Sequence, residues 1–412
     1  MRCSAIETGK RNVEGGASCW APRARANSSP AFRFPSSALL LALLLLAIGA
    51  TSAVSDDSTE PAPVAIPWGP FLQNPTPTAV TILWATNTPN KGSIVYGTAA
   101  NRMDRTLTAT EQTEGRNVLT LTDLEPATKY HYRVVSTPLD GRPPVESETA
   151  TFITPATEYR HFTFAIQGDV HQSNCAGELA QLLSDQAPDF ILDLGDRNPS
   201  IVGGLFRPYR EVLQATPIYF ARGNHDAEHK QAMVCTMPGP GAPSYYAFTR
   251  GNARFFCVFS TDRKDLAEGS EQYRWLEDEL KSCKETWRFV FQHIPVYSAH
   301  RDGLSQALDD ERALLEKYNV HVVFQGHMHH YDRTFPLRDN KVVSTGGVTY
   351  VTVSGSCGGS YPFKHSNRAW FLAKRFRGAP FIGIGVVNDK KATFHFMTSQ
   401  GAIFDTLELT AK

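Results

Sequence analysis

Five short apolar runs in this chain each end in residues that bind metal ions. Phe162-Thr163-Phe164-Ala165-Ile166 leads to Gly168-Asp169-Val170-His171. The run through Ile191 and Leu194 leads to Gly195-Asp196, and Pro217-Ile218-Tyr219-Phe220 to Gly223-Asn224-His225-Asp226. Arg288-Phe289-Val290-Phe291 leads to Gln292-His293, and Val320 to Phe324 leads to Gly326-His327-Met328-His329. Carboxylate, amide and imidazole ligands without thiolates suit Zn, Fe or Mn. The set is too large for one tetrahedral ion and large enough for two. A carboxylate such as Asp196 can bridge two cations. A pair of divalent ions activates a water and neutralises the oxyanions of an in-line phosphoryl displacement. One histidine on a strand is ordinarily a core or surface residue, and Gly-Asp is common in turns. Five such clusters in this order, each closing an apolar run, are not explained that way.

The elements that position them read as strand, loop, helix. Between the runs, 177–185 and 309–318 have helical character, and Tyr273, Leu276 and Leu280 fall on one helix face. Val348 to Val353 and the alternating end 392–409 read as strands with no helix between them. The expected catalytic domain, 158–412, is α/β: a two-sheet αββα sandwich with the helices outside. In such sheets the carboxyl ends of the strands line the ligand crevice, so five strand ends can converge. Glycine before Asp169, Asp196, Asn224 and His327 is expected to let the backbone turn sharply.

Residues 66–157 have another rhythm. Short strands such as Thr81 to Thr86, Ser93 to Gly97 and Asn117 to Leu121 are divided by turns, which suggests an all-β sandwich. The run Leu124-Glu125-Pro126-Ala127-Thr128-Lys129-Tyr130-His131-Tyr132 is similar to the corner of fibronectin type III domains, where a Tyr hydroxyl ties back to the backbone. Such a domain is expected to be a spacer or a binding module.

The pattern Asp-x-His, Gly-Asp, Gly-Asn-His-Asp, lone His, Gly-His-x-His resembles the calcineurin-like metallophosphoesterases. With a fibronectin-like domain ahead of it, the arrangement resembles the purple acid phosphatases. That resemblance implies Asp169, His171 and His329 as ligands of one metal and Asn224, His293 and His327 as ligands of the second, with Asp196 bridging. It implies His225 as the acid or phosphate-contacting group, oriented by Asp226. The chain departs from the purple type at Pro199, where that family carries a Tyr ligand, and at His171, which the family lacks. An imidazole in place of tyrosinate favours two divalent ions drawn from Fe, Mn and Zn, without purple colour. Arg197 is a candidate phosphate contact or a salt-bridge partner. His300 is a candidate substrate contact or a solvated side chain. His330, Tyr331 and Asp332 are candidate supports for the metal ligands.

Lys plus Arg and Asp plus Glu are both 41, so nothing calls for nucleic acid. The apolar run 39–50 follows basic residues and precedes Ala50-Thr51-Ser52-Ala53, which reads as a signal peptide over 1–53. A Pro-rich linker, 54–65, follows. The run is too short for a comfortable membrane span, although an uncleaved anchor is the alternative. A secreted or periplasmic protein is expected. Five cysteines lie beyond residue 53. Export permits one or two disulfides, but an inert buried Cys is the default for each, and helix packing suffices for Cys175. Three functions follow: an acid phosphatase-like monoesterase acting on small phosphate esters, a phosphodiesterase for a cyclic nucleotide or phospholipid headgroup, and a non-enzymatic, metal-bound surface binding protein.

Overall fold

Runs of Phe, Val, Ile and Leu that are buried on both faces must lie between layers. Phe162–Gln167, Phe190–Asp193, Trp287–Gln292 and Val322–Gln325 are of this kind, each buried along almost its whole length. In the structure, a computed structural model, they build two sheets packed face to face. The described residues are 62–411 without 160, 172–174, 198–204, 300–302, 305–307, 358–361 and 364–368. The expected signal peptide, linker residues 54–61, Pro199 and His300 lie outside them.

The first sheet has the order Ile218–Phe220, Phe190–Asp193, Phe162–Gln167, Phe381–Val387, Lys391–Thr398, Ile403–Thr410. Its first three strands are parallel and the rest antiparallel. The second sheet has Ala253–Val258, Trp287–Gln292, Val322–Gln325 and Thr349–Val353 in parallel. Antiparallel strands flank them: Tyr246–Arg250 on one side, Tyr331–Thr334 and Leu372–Phe376 on the other. Aromatic rings fill the space between the sheets. Phe164 stacks on Phe190 at 5.2 Å and meets Phe255 edge-on at 5.2 Å, a geometry that adds to area burial.

Helices α1 (Ala176–Gln186) and α2 (Arg210–Ala215) cover the first sheet. Helix α3 (Glu228–Val234) follows the Asn224 loop. Helices α4 (Glu271–Ser282) and α5 (Asp309–Lys317) cover the second sheet. The expected αββα order is observed. The short α2 and α3 were not legible, since one or two turns carry too little periodicity. Among the described residues, no helix is long and apolar enough to cross a membrane.

The N-terminal β-sandwich pairs Trp68–Thr76, Ala79–Ala85 and Arg116–Leu121 in one sheet and builds its second around Asn90–Gly97 and Lys129–Pro138. Its corner is the expected one: the Tyr130 hydroxyl accepts from Glu125 N at 2.9 Å. The sandwich packs directly against the α/β domain. Trp68, Phe71, Leu83 and Ala85 share one core with α1 and α2, and Trp68 stacks on Phe206 at 5.1 Å. Gln73 Oε1 accepts from Thr236 N and Oγ1, both at 2.8 Å. Arg116 Nε donates to Met233 O at 2.9 Å. Both domains lie within one compact unit, Ala62–Lys412.

Two glutamines lie wholly buried just before the ligand loops of the second sheet. Gln325 is satisfied by Val296 N, Tyr297 O and Thr352 Oγ1. Gln292 donates to Ile294 O at 2.8 Å and reaches Glu311 Oε2 only at 3.5 Å. Glu311, on α5, is fully buried, and neither its Oε1 nor Gln292 Oε1 has a hydrogen-bond partner. Burial pushes the Glu311 carboxyl from 4.5 up to about 8. The folded chain therefore keeps a proton that the unfolded chain has lost above pH 4.5. The stability present below pH 4.5 is lost as pH rises toward 8, by about 1.4 kcal/mol per unit. Glu311→Gln should remove that slope in urea unfolding measured from pH 5 to 8. Identical slopes in the two proteins would contradict it.

Candidate metal centre

Each parallel strand of the interior ends at the same edge of the two sheets. Phe162–Gln167 delivers Asp169 and His171, Phe190–Asp193 delivers Asp196, and Ile218–Phe220 delivers Asn224 and His225. From the second sheet come His293, His327 and His329. A sixth strand, Thr349–Val353, delivers Ser354, which the ligand-type reading passed over because serine is not a metal ligand.

The side chains gather in two groups. Asp169, His171 and His329 place one ligand atom each within 4.8 Å of one another, and so do Asp196, His293 and His327. In the first group Asp169 Oδ1 lies 3.3 Å from His329 Nε2 and 3.8 Å from His171 Nε2. That oxygen is buried and accepts no hydrogen bond. In the second, His293 Nε2 faces Asp196 Oδ2 at 3.2 Å and Asn224 Oδ1 at 3.0 Å. His293 Nδ1 donates to Leu194 O at 2.8 Å, which turns the other nitrogen's lone pair toward those oxygens. Asp196 Oδ2 also lies 3.7 Å from His171 Nε2, so this one atom stands between the groups.

Acceptors that converge in this way need a proton or a cation among them. Burial opposes a charge on His293, yet the hydrogen bond to Asp196 and the charges of Asp169 and Asp196 hold it up at about 9. Burial raises Asp169, but the His329 and His293 imidazoles close to it keep it below the ordinary value. Burial lowers His171, partly offset by Asp169 and Asp196. These oxygen and nitrogen donors, with the orphaned Asp169 Oδ1, fit two divalent cations.

The loops are held from behind. Asp169 Oδ2 accepts from His327 N at 3.0 Å and from the Ser354 hydroxyl. The same hydroxyl accepts from His329 N at 2.7 Å. Asp196 Oδ1 accepts from His225 N at 2.7 Å, which aims Oδ2 at the histidines. Asp169, Asp196, His327 and His329 all have positive φ, at 61°, 56°, 72° and 50°. This left-handed conformation costs an L-residue about 1–2 kcal/mol and is kept here by the surrounding bonds. The expected turn at a glycine is seen at Gly195, with φ 94°, and is corrected for Gly168, Gly223 and Gly326. The ligands themselves make most of the turns, and a Cβ on Gly223 would collide with the Asp196 carboxylate.

Two further expectations change. Asp226 does not orient the His225 ring. Its Oδ2 accepts from Asp196 N and Gly223 N, both at 2.9 Å, and its Oδ1 from Arg197 N at 3.2 Å. Arg197 adds an ion pair to it at 3.0 Å, so the carboxylate is saturated. Arg197 is not a substrate contact. Its side chain is 1% exposed, paired also with Asp193 at 3.1 Å and bonded to Gln231. His225 stands in the open, 62% exposed, with Nε2 3.9 Å from Asp196 Oδ2. Buried His330 is paired with Asp332 at 3.0 Å, and Asp332 also takes Ala299 N and the Thr352 hydroxyl.

Residues 162–331 match the family Calcineurin-like phosphoesterase, and 69–154 match Purple acid Phosphatase, N-terminal domain. Probable purple acid phosphatase 20 of Arabidopsis thaliana is 25% identical over 67% of this chain and 71% of its own length. Phosphoenolpyruvate phosphatase of Allium cepa is 26% identical over 66% of this chain and 63% of its own. Acid phosphatase type 7 of Mus musculus is 24% identical over 44% and 50%. Among solved structures, purple acid phosphatase PPD1 from Lupinus luteus seeds is similar in fold, with TM-score 0.71 at 16% identity over 83% of this chain and 74% of that one. PhoD is similar with TM-score 0.61 at 14% identity over 82% and 88%.

The brace and the open imidazole should separate experimentally. Asp226→Ala leaves three backbone amides without their acceptor and the buried Arg197 with Asp193 as its remaining carboxylate, and should cost about 3–5 kcal/mol in urea unfolding. His225→Ala removes an exposed ring and should stay within about 0.5 kcal/mol. Equal, small costs would contradict the assignment of Asp226 as a brace.

Proposed function

Because the catalytic domain is a calcineurin-like phosphoesterase and the sandwich a purple acid phosphatase N-terminal domain, we propose that the chain hydrolyses small phosphate monoesters with two divalent cations. The observation that carries this reading is the pair of ligand groups sharing Asp196 Oδ2. Asp169, His171 and His329 would hold one cation and Asn224, His293 and His327 the other. When bound, the cations would supply Lewis acidity toward the phosphoryl oxygens and lower the pKa of an attacking water. The chain's own residues do the rest. Asp196, fixed by the His225 amide, keeps both groups in register. The His225 imidazole stands at the mouth, where it can protonate a leaving oxygen or contact the phosphate.

The onion relative's printed name states a monoester substrate, phosphoenolpyruvate, and supports monoester over diester chemistry. His171 supports divalent ions from the group Fe, Mn and Zn over a tyrosinate-bound ferric site. The apolar run 39–50 supports export as a secreted or periplasmic protein. A purely binding role is disfavoured because every candidate ligand is present and the sandwich shares its core with the catalytic domain.

The test is hydrolysis of p-nitrophenyl phosphate beside bis-p-nitrophenyl phosphate by the chain reconstituted with Mn, Fe or Zn. Turnover of the monoester should exceed that of the diester and fall more than tenfold in Asn224→Ala and in His225→Ala. Turnover of the diester alone would overturn the monoesterase reading in favour of a phosphodiesterase. Turnover of neither, at full metal occupancy, would overturn both.

A further inference from the structure

One covalent bond joins the loop that carries Asp169 and His171 to the segment that braces Asp169 and His329. Cys175, the residue before α1 and four positions past His171, is disulfide-bonded to Cys357, 182 residues away. The inert-cysteine expectation is thereby corrected for this pair; Cys235 and Cys257 are free and buried. Spacing gave no sign of the bond, because the two cysteines meet only once the strand ends converge.

We propose that the Cys175–Cys357 disulfide is a positioning element for the Asp169, His171 and His329 group and sets its affinity for metal, while the Asn224, His293 and His327 group does not depend on it. The inference rests on the two-cation reading above. Its basis is what each cysteine is attached to. Cys357 closes the segment that begins at Ser354, whose hydroxyl holds both Asp169 and the His329 backbone. Between them, Ser356 ties the same segment to the loop of Asp169: Gly168 N donates to its hydroxyl at 3.3 Å, and its own N donates to Gly168 O at 3.4 Å. These last two bonds are long, and long hydrogen bonds hold position weakly. The disulfide is the strong link across the same gap. It closes a long loop, so opening it returns conformational freedom to both segments.

The second group hangs on other supports. His293 is fixed by Leu194 O, and Gly326 N donates to His293 O at 2.9 Å, which anchors the start of the His327 loop. Asp226 binds the Asp196 and Gly223 backbones together. None of these bonds involves 354–357 or Cys175; this group's link to the first is the bond from His327 N to Asp169 Oδ2 at 3.0 Å. The disulfide and His329 also line a common cavity of about 130 Å³ with Ser356, Gly378 and Phe381. A small reductant entering there meets the sulfurs beside the ligand.

The test measures metal binding, not turnover. Mn²⁺, which binds thiols weakly, is titrated calorimetrically into the full chain before and after treatment with a water-soluble phosphine. The phosphine cleaves the S–S bond, takes its oxygen from water to become the oxide, and leaves two thiols. A Cys175→Ala/Cys357→Ala chain is titrated in parallel, and circular dichroism establishes that each form is folded. His171→Ala, titrated alone, identifies which of two binding events belongs to the first group. That event should weaken at least tenfold on reduction and in the double variant, with the other within about threefold. Both events unchanged, or both weakened alike, would overturn the proposal and leave the disulfide a general stabiliser. If the double variant does not fold, the reduced chain and its reoxidised form decide by the same criterion. An oxidised chain that binds fewer than two ions would sink the two-cation reading itself, a result distinct from either.

Discussion

Lone pairs that converge in a buried place repel one another unless a positive charge stands among them. That constraint organises this molecule. Asp169 Oδ1 is aimed at the Nε2 atoms of His171 and His329, and His293 Nε2 is aimed at the oxygens of Asp196 and Asn224. No chain would hold these groups in contact for their mutual attraction alone. The interior of the domain supplies the compulsion: six parallel strand ends meet at one edge, backed by a closely packed aromatic core. Four of the ligands sit in left-handed backbone conformations. Each of those is kept by hydrogen bonds from a neighbouring loop, so the loops hold one another.

The supports are as specific as the ligands. Asp226 reads in sequence as a partner of His225, but it spends all its acceptor capacity on three backbone amides and Arg197. It is the hinge pin between the Asp196 and Asn224 loops. Ser354 does the same for Asp169 and His329. The N-terminal sandwich extends this support outward. Through Gln73 and Arg116 it grips the segment around α3 that follows the Asn224 loop, and through Trp68 and Phe71 it completes the helical layer. The two domains therefore share one apolar core.

Much of this was legible in the residues. The strand ends carrying Asp169, Asp196, Asn224, His293 and His327 announced themselves because an apolar run followed by a ligand, with Gly before it except at His293, is a local pattern. The Tyr130 corner was legible for the same reason. What was not legible depends on partners distant in sequence. Asp226 and Arg197 could be placed only once the loops were seen back to back. Ser354 carries no ligand chemistry, although its position after an apolar strand matched the other five. The Cys175 and Cys357 pairing depends on the convergence of two loops, and the shared core of sandwich and α2 on an interface that no periodicity encodes.

The central claim is that two cations stand on either side of Asp196. Anomalous diffraction from crystals of the Mn- or Zn-loaded chain, collected at the metal edge, tests it directly. The account predicts two peaks about 3.5–4 Å apart, one against Asp169, His171 and His329 and one against Asn224, His293 and His327, with the Asp196 carboxylate between them. A single peak, or peaks away from these residues, would contradict it.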